Sequence, residues 1–191
     1  MAAGARARVV GRACALVVAM VLSLASSAVV AAPELAGASS AFVTHAERPL
    51  VPAVTFQDER GRTVGLDAFH GRLTLVNLWA TWCPPCVKEL PALDALQAAF
   101  PLADLAVVAI CNGCGSTPQI RAFLDGRGIR ALDLYHHPEF DVMRVLGAKG
   151  LPVTLLVDAE GREIGRLVGE ADWSGEAARA LVRHHLEHTG R

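Results

Sequence analysis

The sequence lacks an excess of positive charge. Its 18 Lys and Arg residues are balanced by 19 Asp and Glu residues, which gives a formal net charge of −1 at pH 7. The basic residues do not form a stripe with interleaved aromatic side chains, the usual mark of a nucleic-acid-binding surface. Nucleic acid is therefore excluded as a partner.

Internal repeats and low-complexity tracts are also lacking outside the N-terminal segment. The chain is therefore not an array of repeated units. Of its 191 residues, 52% are hydrophobic, which is enough for one domain with a proper core.

The N-terminal segment predicts export. Arg6, Arg8 and Arg12 precede an uncharged stretch over residues 13–32. Small residues in this stretch suit a signal peptidase, whereas its length is close to the roughly 20 residues that span a bilayer. Residues 1–32 are therefore predicted to be a signal peptide or an N-terminal membrane anchor. Either alternative places the domain in the periplasm, and in the second case residues 13–32 anchor it to the inner membrane.

Residues 33–52, rich in Ala, Ser, Gly and Pro, predict a linker, and residues 53–191 predict one α/β domain. A short β-hairpin comes first, and a second hairpin and a helix close the chain. Strands and helices alternate between them, which indicates one mixed sheet with helices on both faces. The predicted strands are 54–56, 62–64, 73–79, 105–110, 131–135, 153–157 and 163–168. The predicted helices are 84–100, 117–125, 139–146 and a last one that Asp172 caps and that runs to about His188.

Two cysteines lie at the junction between the strand over 73–79 and the helix that follows it. Cys83 and Cys86 form a CxxC pair, and the helix start places backbone N–H groups and a positive dipole end near Cys83. These favour the thiolate over the thiol, and the spacing lets the two sulfurs close a small ring. Zinc sites use the same spacing, but Pro84 and Pro85 make a poor zinc knuckle. The pattern therefore predicts a redox-active pair.

The segment VNLWATWCPPCVKELP, which contains this pair, resembles the active site of the thioredoxin superfamily. The resemblance is to the TlpA/ResA-like extracytoplasmic thiol-disulfide oxidoreductases, and it runs from about Val54 to the C-terminal helix. It implies a thioredoxin-like three-layer fold with a central mixed sheet, an N-terminal β-hairpin and an inserted βα unit. It also implies an enzyme that reduces protein disulfides, with no cofactor besides the Cys83–Cys86 disulfide.

Cys83 is expected to be the attacking nucleophile and Cys86 the more buried, resolving thiol. A permanently closed disulfide is the alternative. Because Pro84 and Pro85 have no N–H groups, the first donors to the Cys83 sulfur come from Cys86 and beyond. We therefore expect modest stabilisation of the thiolate and a dithiol that is a reductant more than a strong oxidant.

Glu89 lies three residues after Cys86, on nearly the same face of the helix. A carboxylate there is able to take and return the proton of Cys86, and in the resembled family a glutamate at this position is implicated in tuning the cysteines. A solvated helix glutamate is the alternative, and the sequence leaves both open. Asn77 stands where ordinary thioredoxins carry a buried acid. Since asparagine is not a base, Glu89 becomes the more plausible proton relay.

The segment GLPVT over residues 150–154 resembles the cis-proline loop of the same family, which faces the CxxC pair. The resemblance implies a cis bond between Leu151 and Pro152, although only about 5% of X–Pro bonds are cis. It also implies that backbone groups of Leu151 pair with an extended substrate segment. Trp82 is expected at the rim of this groove, and Trp79 in the core.

A second CxxC pair, Cys111 and Cys114, is not part of the family pattern. It follows the strand over 105–110, so we predict it at the same edge of the sheet as the first pair. Three interpretations stay open. They are a structural or protective disulfide, a second redox pair that relays electrons to or from the first, and a copper or zinc site with His136 or His137.

The predicted partners are protein thiol and disulfide clients. By resemblance these are apocytochrome c, as in cytochrome c biogenesis, or copper-site proteins, with a membrane thiol transporter as the electron donor. The alternative function is a copper-handling thioredoxin-fold protein that uses the CxxC pairs as ligands, whereas the favoured interpretation involves no metal. A peroxiredoxin is disfavoured because Ala80 stands three residues before Cys83, where that class has a threonine.

Overall fold

The structure is a computed structural model that describes residues 1, 35–37, 41–139 and 141–188. Apart from its first residue, the leader predicted over residues 1–32 lies outside the described residues, and so does its anchor segment. In the part of the chain that is described, no helix is both long enough and apolar enough to cross a bilayer.

The described residues form eight strands and four α-helices. The strands are β1 (Val43–Thr44), β2 (Thr55–Asp58), β3 (Thr63–Gly65), β4 (Leu73–Trp79), β5 (Leu105–Asn112), β6 (Tyr135–His137), β7 (Val153–Val157) and β8 (Glu163–Val168). The helices are α1 (Pro84–Ala98), α2 (Thr117–Asp125), α3 (Asp141–Val145) and α4 (Glu176–His188). All eight strands join one sheet, in the order β1-β8-β7-β4-β5-β6-β2-β3.

Strand β4 is the centre of the domain because both of its faces are covered. It runs parallel to β5 and antiparallel to β7, and all 7 of its residues are buried. Leu73, Leu75 and Trp79 pack in a core with residues of α1, α2 and α4. Val76 and Leu78 pack in a second core, on the other face, with residues from α3. The predicted three-layer fold with a central mixed sheet is confirmed.

The two predicted hairpins are present as the pairs β2–β3 and β7–β8. Between α1 and the second hairpin lie two βα units, β5–α2 and β6–α3. The inserted unit is therefore confirmed, and it places β6 between β5 and the N-terminal hairpin.

The strand predicted over 131–135 is wrong in position, since β6 spans Tyr135–His137. The cause is Asp94 on α1, whose Oδ1 accepts three backbone N–H bonds from residues 130–132, at 2.7 to 3.0 Å. These bonds hold the start of the predicted strand in a turn. Pairing with β5 begins only at Tyr135.

Part of the segment predicted as a linker, residues 33–52, belongs to the sheet instead. Strand β1 adds to the sheet edge and pairs antiparallel with β8, with Val43 opposite Arg166. Gly165 on β8 permits this approach, because a Cβ there would lie 2.4 Å from the Val43 carbonyl oxygen. The composition of residues 33–52 obscures this strand, because its two residues, Val43 and Thr44, favour strands although the segment around them is rich in Ala, Ser, Gly and Pro.

The last helix begins at Glu176 rather than directly after Asp172, which was predicted to cap it. The Asp172 carboxylate closes a turn instead, since its Oδ1 accepts hydrogen bonds from the backbone N and the Oγ of Ser174, at 3.0 and 2.6 Å. Helices α1 and α3 are also shorter than predicted, and α1 continues through Pro91 without ending there.

Candidate active site

The first cysteine pair lies where β4 ends and α1 begins. Cys83 is the N-cap residue of α1, and Cys86 lies in its first turn. The two form a disulfide with a Cα–Cα distance of 5.3 Å. Cys86 is completely buried, whereas Cys83 keeps 4% exposure. Cys83 is therefore the more accessible of the two residues.

The start of α1 offers few hydrogen bonds to the Cys83 sulfur. Pro84 and Pro85 occupy the first two helical positions and have no N–H to donate. Among the described residues, the sulfur accepts one backbone hydrogen bond, from Cys86 N at 3.4 Å. The next amide, Val87 N, donates to the Cys83 carbonyl oxygen at 3.1 Å. The first backbone donor to the Cys83 sulfur is thus the N–H of Cys86, as the sequence predicted.

Glu89 points from α1 into the domain and is only 3% exposed. Its Oε1 accepts a hydrogen bond from Asn77 Nδ2 at 2.8 Å. Its Oε2 accepts bonds from Ala171 N and from the Trp173 indole N–H, both at 3.2 Å. Burial outweighs these hydrogen bonds and raises the pKa of Glu89 to about 7. Because Glu89 is buried, the alternative of a solvated helix glutamate is wrong.

Asn77 connects this carboxyl to the strand that follows the proline loop. Its Nδ2 also donates to Thr154 Oγ1 at 2.9 Å, and Thr154 lies opposite Asn77 in the β4–β7 register. Sequence reasoning identified Asn77 and Glu89 but missed Thr154 and Trp173 as members of the network. Trp173 lies 84 positions from Glu89, and no local pattern marks it.

The loop before β7 lies at the same edge of the sheet as the first cysteine pair. The bond between Leu151 and Pro152 is cis, as the resemblance implied. Val153 pairs with Leu78, so the loop lies beside the carboxyl end of β4. Pro152 is buried and Leu151 half-buried, whereas Trp82, directly before the first cysteine, is 59% exposed. The site therefore combines an enclosed sulfur with an exposed aromatic ring.

A second disulfide joins Cys111 and Cys114 where β5 ends, with a Cα–Cα distance of 5.8 Å. Cys111 pairs with Trp79 in the β4–β5 register, so the predicted position at the same sheet edge is correct. Cys111 is completely buried and Cys114 is half-buried. Within the described ranges, no group of three or more His, Cys, Asp or Glu side chains is arranged to hold a metal ion.

A CxxC pair at a strand-to-helix junction, beside a cis-proline loop on a mixed sheet, defines a thiol-disulfide oxidoreductase of the thioredoxin type. Comparison with known proteins then gives the family. The chain belongs to the Redoxin family, which matches residues 46–182.

Individual relatives agree with this assignment. The chain is similar to the thiol-disulfide oxidoreductase ResA of Bacillus anthracis, with 24% identity over 122 residues that cover 62% of this chain and 68% of that protein. It is similar to the thioredoxin-like protein YneN of Bacillus subtilis, with 40% identity over 77 residues that cover 39% of this chain and 44% of that protein.

Among solved structures, the chain is similar in fold to a thiol:disulfide interchange protein of the thioredoxin family from Chlorobium tepidum. The TM-score is 0.61 at 22% identity, over 74% of this chain and 99% of that one. The site and the relatives together show a thiol-disulfide oxidoreductase that acts on protein disulfides. The copper-handling alternative is not favoured, because the relatives are named for thiol-disulfide exchange.

Proposed function

We propose that this chain is an extracytoplasmic protein-disulfide reductase in which Cys83 attacks, Cys86 resolves and Glu89 carries the proton of Cys86. The observation that supports the proposal is the buried Glu89 carboxyl, which lies one helical turn beyond Cys86 and has a pKa of about 7. A group with this pKa is close to half protonated at neutral pH, so it both accepts and returns a proton readily.

In the first step, the Cys83 thiolate attacks one sulfur of a client disulfide. A mixed disulfide forms between Cys83 and the client, the client's own S–S bond breaks, and its second sulfur leaves as a thiolate. The helix dipole and the N–H of Cys86 stabilise the attacking thiolate before this step.

In the second step, Cys86 displaces the captured client. The Glu89 carboxylate takes the proton of Cys86, and the resulting thiolate attacks the Cys83 sulfur. The Cys83–Cys86 disulfide closes and the client leaves as a second thiolate, so two electrons have passed to the client. Because Cys86 is completely buried, an internal carboxyl is better placed than a solvent base to take its proton.

We propose that the client segment lies between Trp82 and the loop of Leu151 and Pro152. Trp82 offers an exposed aromatic surface beside the attacking sulfur, and Leu151 is half-buried at the same sheet edge. An extended client segment that pairs with the loop backbone adds a strand there, which holds its disulfide near Cys83 without selecting its sequence.

The small number of donors to Cys83 supports a reducing role. A strongly stabilised thiolate makes DsbA a strong oxidant, at about −120 mV. Here the described contacts supply one long backbone bond to the sulfur, at 3.4 Å, so we expect a clearly more negative potential. Titration of the Cys83–Cys86 pair against glutathione measures it, and a value as high as that of DsbA would contradict the reducing role.

We also propose a periplasmic location, with residues 1–32 as a signal peptide or with residues 13–32 as an inner-membrane anchor. The three leader arginines and the uncharged stretch support export. Apocytochrome c and copper-site proteins are the proposed clients, and a membrane thiol transporter is the proposed electron donor. Cell fractionation and N-terminal sequencing test the location and distinguish the cleaved from the retained leader.

Reduction of insulin, with dithiothreitol as the electron source, tests the reaction itself. Cys83→Ser should reduce the rate to that of dithiothreitol alone. Glu89→Gln should slow client release by roughly a hundredfold, the low end of the effect of a general base, while the first attack keeps its rate. Glu187→Gln, which replaces an exposed glutamate of α4, is the matched control. An active Cys83→Ser variant would contradict the proposal.

A further inference from the structure

The proposed reaction does not use Cys111 and Cys114, whose surroundings suggest chemistry of their own. Trp79 of β4 and His136 of β6 are the register partners of Cys111 on its two neighbouring strands. Side chains of residues in register project from the same face of a sheet, so the two rings flank Cys111. Trp79, Cys111 and His136 are buried, with 1%, 0% and 5% exposure.

Each flanking ring has a nitrogen without a hydrogen-bond partner among the described residues, Nε1 of Trp79 and Nδ1 of His136. The other nitrogen of His136, Nε2, lies 3.0 Å from Thr117 Oγ1. Burial also lowers the pKa of His136, so its ring is neutral at neutral pH. When the Thr117 hydroxyl donates to Nε2, the proton of the neutral ring is on Nδ1, and both unpaired nitrogens are then donors.

Buried donors without acceptors are costly, and each one in a native fold calls for an explanation. A disulfide sulfur is a weak acceptor, whereas a thiolate accepts strong, charge-assisted hydrogen bonds. In the oxidised structure the two nitrogens are unpaired. A thiolate on Cys111, the register partner of both residues, is an acceptor on this face of the sheet that the disulfide form lacks.

The loop that carries the second pair is held in place independently of its S–S bond. Gly113 N donates to the His137 carbonyl oxygen at 2.9 Å. Asn112 Nδ2 donates to the carbonyl oxygens of Ile110 and Trp79, at 2.8 and 3.4 Å. The Asn112 carbonyl oxygen lies 3.6 Å from the Cys114 sulfur, where it can accept a hydrogen bond from a thiol. Opening the disulfide therefore need not unfold the loop.

We propose that Cys111 and Cys114 form a second redox-active pair, which exchanges electrons with a protein dithiol through Cys114 and leaves a thiolate on Cys111 between Trp79 and His136. Cys114 is the point of entry because it is half-buried, whereas Cys111 is inaccessible. Attack at Cys114 also places the leaving charge on Cys111, the register partner of Trp79 and His136.

The reduction proceeds in two steps. One thiolate of the dithiol attacks the Cys114 sulfur, the Cys111–Cys114 bond breaks, and its electron pair stays on Cys111. The second thiolate of the dithiol then attacks its partner sulfur in the mixed disulfide and releases Cys114. The dithiol becomes a disulfide and the pair gains two electrons. Of the two protons lost by the dithiol, one goes to Cys114 and one to solvent.

The test uses the full chain with Cys14→Ser, Cys83→Ser and Cys86→Ala, which leaves Cys111 and Cys114 as its cysteines. The chain is titrated with dithiothreitol, alkylated and mapped by mass spectrometry, while circular dichroism follows the fold. We expect reversible reduction of a folded domain, with Cys114 alkylated at least about tenfold faster than Cys111. Reduction only in denaturant, or only with loss of the fold, would overturn the proposal.

Two further variants in this background test the donors. Trp79→Phe and His136→Phe should each shift the equilibrium with dithiothreitol roughly tenfold toward the disulfide, because each removes a charge-assisted hydrogen bond. His137→Ala is the matched control, since its Nδ1 lies 2.9 Å from the Glu139 carbonyl oxygen. If neither donor variant shifts this equilibrium, the proposal is overturned.

Peptide mapping of the wild-type chain resolves the two disulfides separately, so the same titration remains possible if a variant does not fold. It also separates this inference from the proposed function. Failure at the second pair leaves the reduction of clients by Cys83 untouched, and failure at Cys83 leaves the titration of Cys111 and Cys114 unchanged.

Discussion

Glu89 makes the stability of the domain depend on pH, and Glu89→Gln removes this dependence. In the oxidised protein neither cysteine pair ionises, and burial raises the pKa of Glu89 from 4.5 to about 7. The folded state therefore holds the carboxyl proton more tightly than the unfolded state does. It follows that the free energy of unfolding is highest when Glu89 is protonated and falls as the pH rises from the unfolded pKa to the folded one.

The size of this effect follows from the separation of the two pKa values. It corresponds to about 2.5 kcal/mol of unfolding free energy lost between pH 5 and pH 8. Glutamine does not ionise, so the variant lacks this loss. Both carboxylate oxygens of Glu89 accept hydrogen bonds. In glutamine an NH₂ group replaces one of these oxygens and faces hydrogen-bond donors, which costs about 1–3 kcal/mol at every pH.

Urea unfolding of the oxidised wild type and of Glu89→Gln, over a series of pH values, measures the effect. The variant should be the less stable protein at low pH, and it should gain about 2.5 kcal/mol relative to wild type by pH 8. Other titrating groups, His185 among them, contribute the same pH dependence to both proteins, so their contribution cancels when the two unfolding free energies are subtracted. Glu187→Gln, which removes an exposed carboxylate of α4, is the matched control. If the difference in unfolding free energy between Glu89→Gln and the wild type does not change with pH, the reasoning about a buried carboxyl with a raised pKa is refuted.

Three other variants test separate parts of the account. Asn77→Ala removes a hydrogen bond that lowers the pKa of Glu89, so the midpoint of client release should move above pH 7, and an unchanged pH–rate profile would argue against the link. Trp82→Ala should raise KM for insulin roughly tenfold and leave the reaction with glutathione unaltered, whereas equal effects on both substrates would mean that the ring does not contact clients. Gly165→Ala places a Cβ 2.4 Å from the Val43 carbonyl oxygen, so hydrogen exchange of β1 should accelerate while insulin reduction continues; unchanged protection of β1 would show that the edge tolerates the side chain.

Local sequence was sufficient to predict the position of the redox pair. The apolar run over 73–79 matches β4 residue for residue, and the cap and proline pattern after Cys83 marks the start of α1. These features depend on neighbours in the chain, such as hydrophobic burial on both faces and the missing N–H groups of proline. They can therefore be predicted without knowledge of tertiary contacts.

The features that the sequence did not reveal depend on contacts between distant segments. Strand β6 begins later than predicted because the Asp94 carboxylate accepts hydrogen bonds from the backbone N–H groups of residues 130–132. The sequence placed Glu89 near Cys86 but left its burial open, since burial depends on Trp173 and Ala171. In the same way, the CxxC spacing of the second pair says nothing of the two rings that β4 and β6 bring beside it.

The central claim is that Cys83 captures the client and Cys86 releases it. The most direct measurement is to mix the reduced Cys86→Ser variant with a disulfide-bonded peptide and to map the products by mass spectrometry. The account predicts a stalled mixed disulfide on Cys83 that persists in this variant and is transient in the wild type. If no peptide remains on Cys83, or if the wild type retains it equally long, the claim is contradicted.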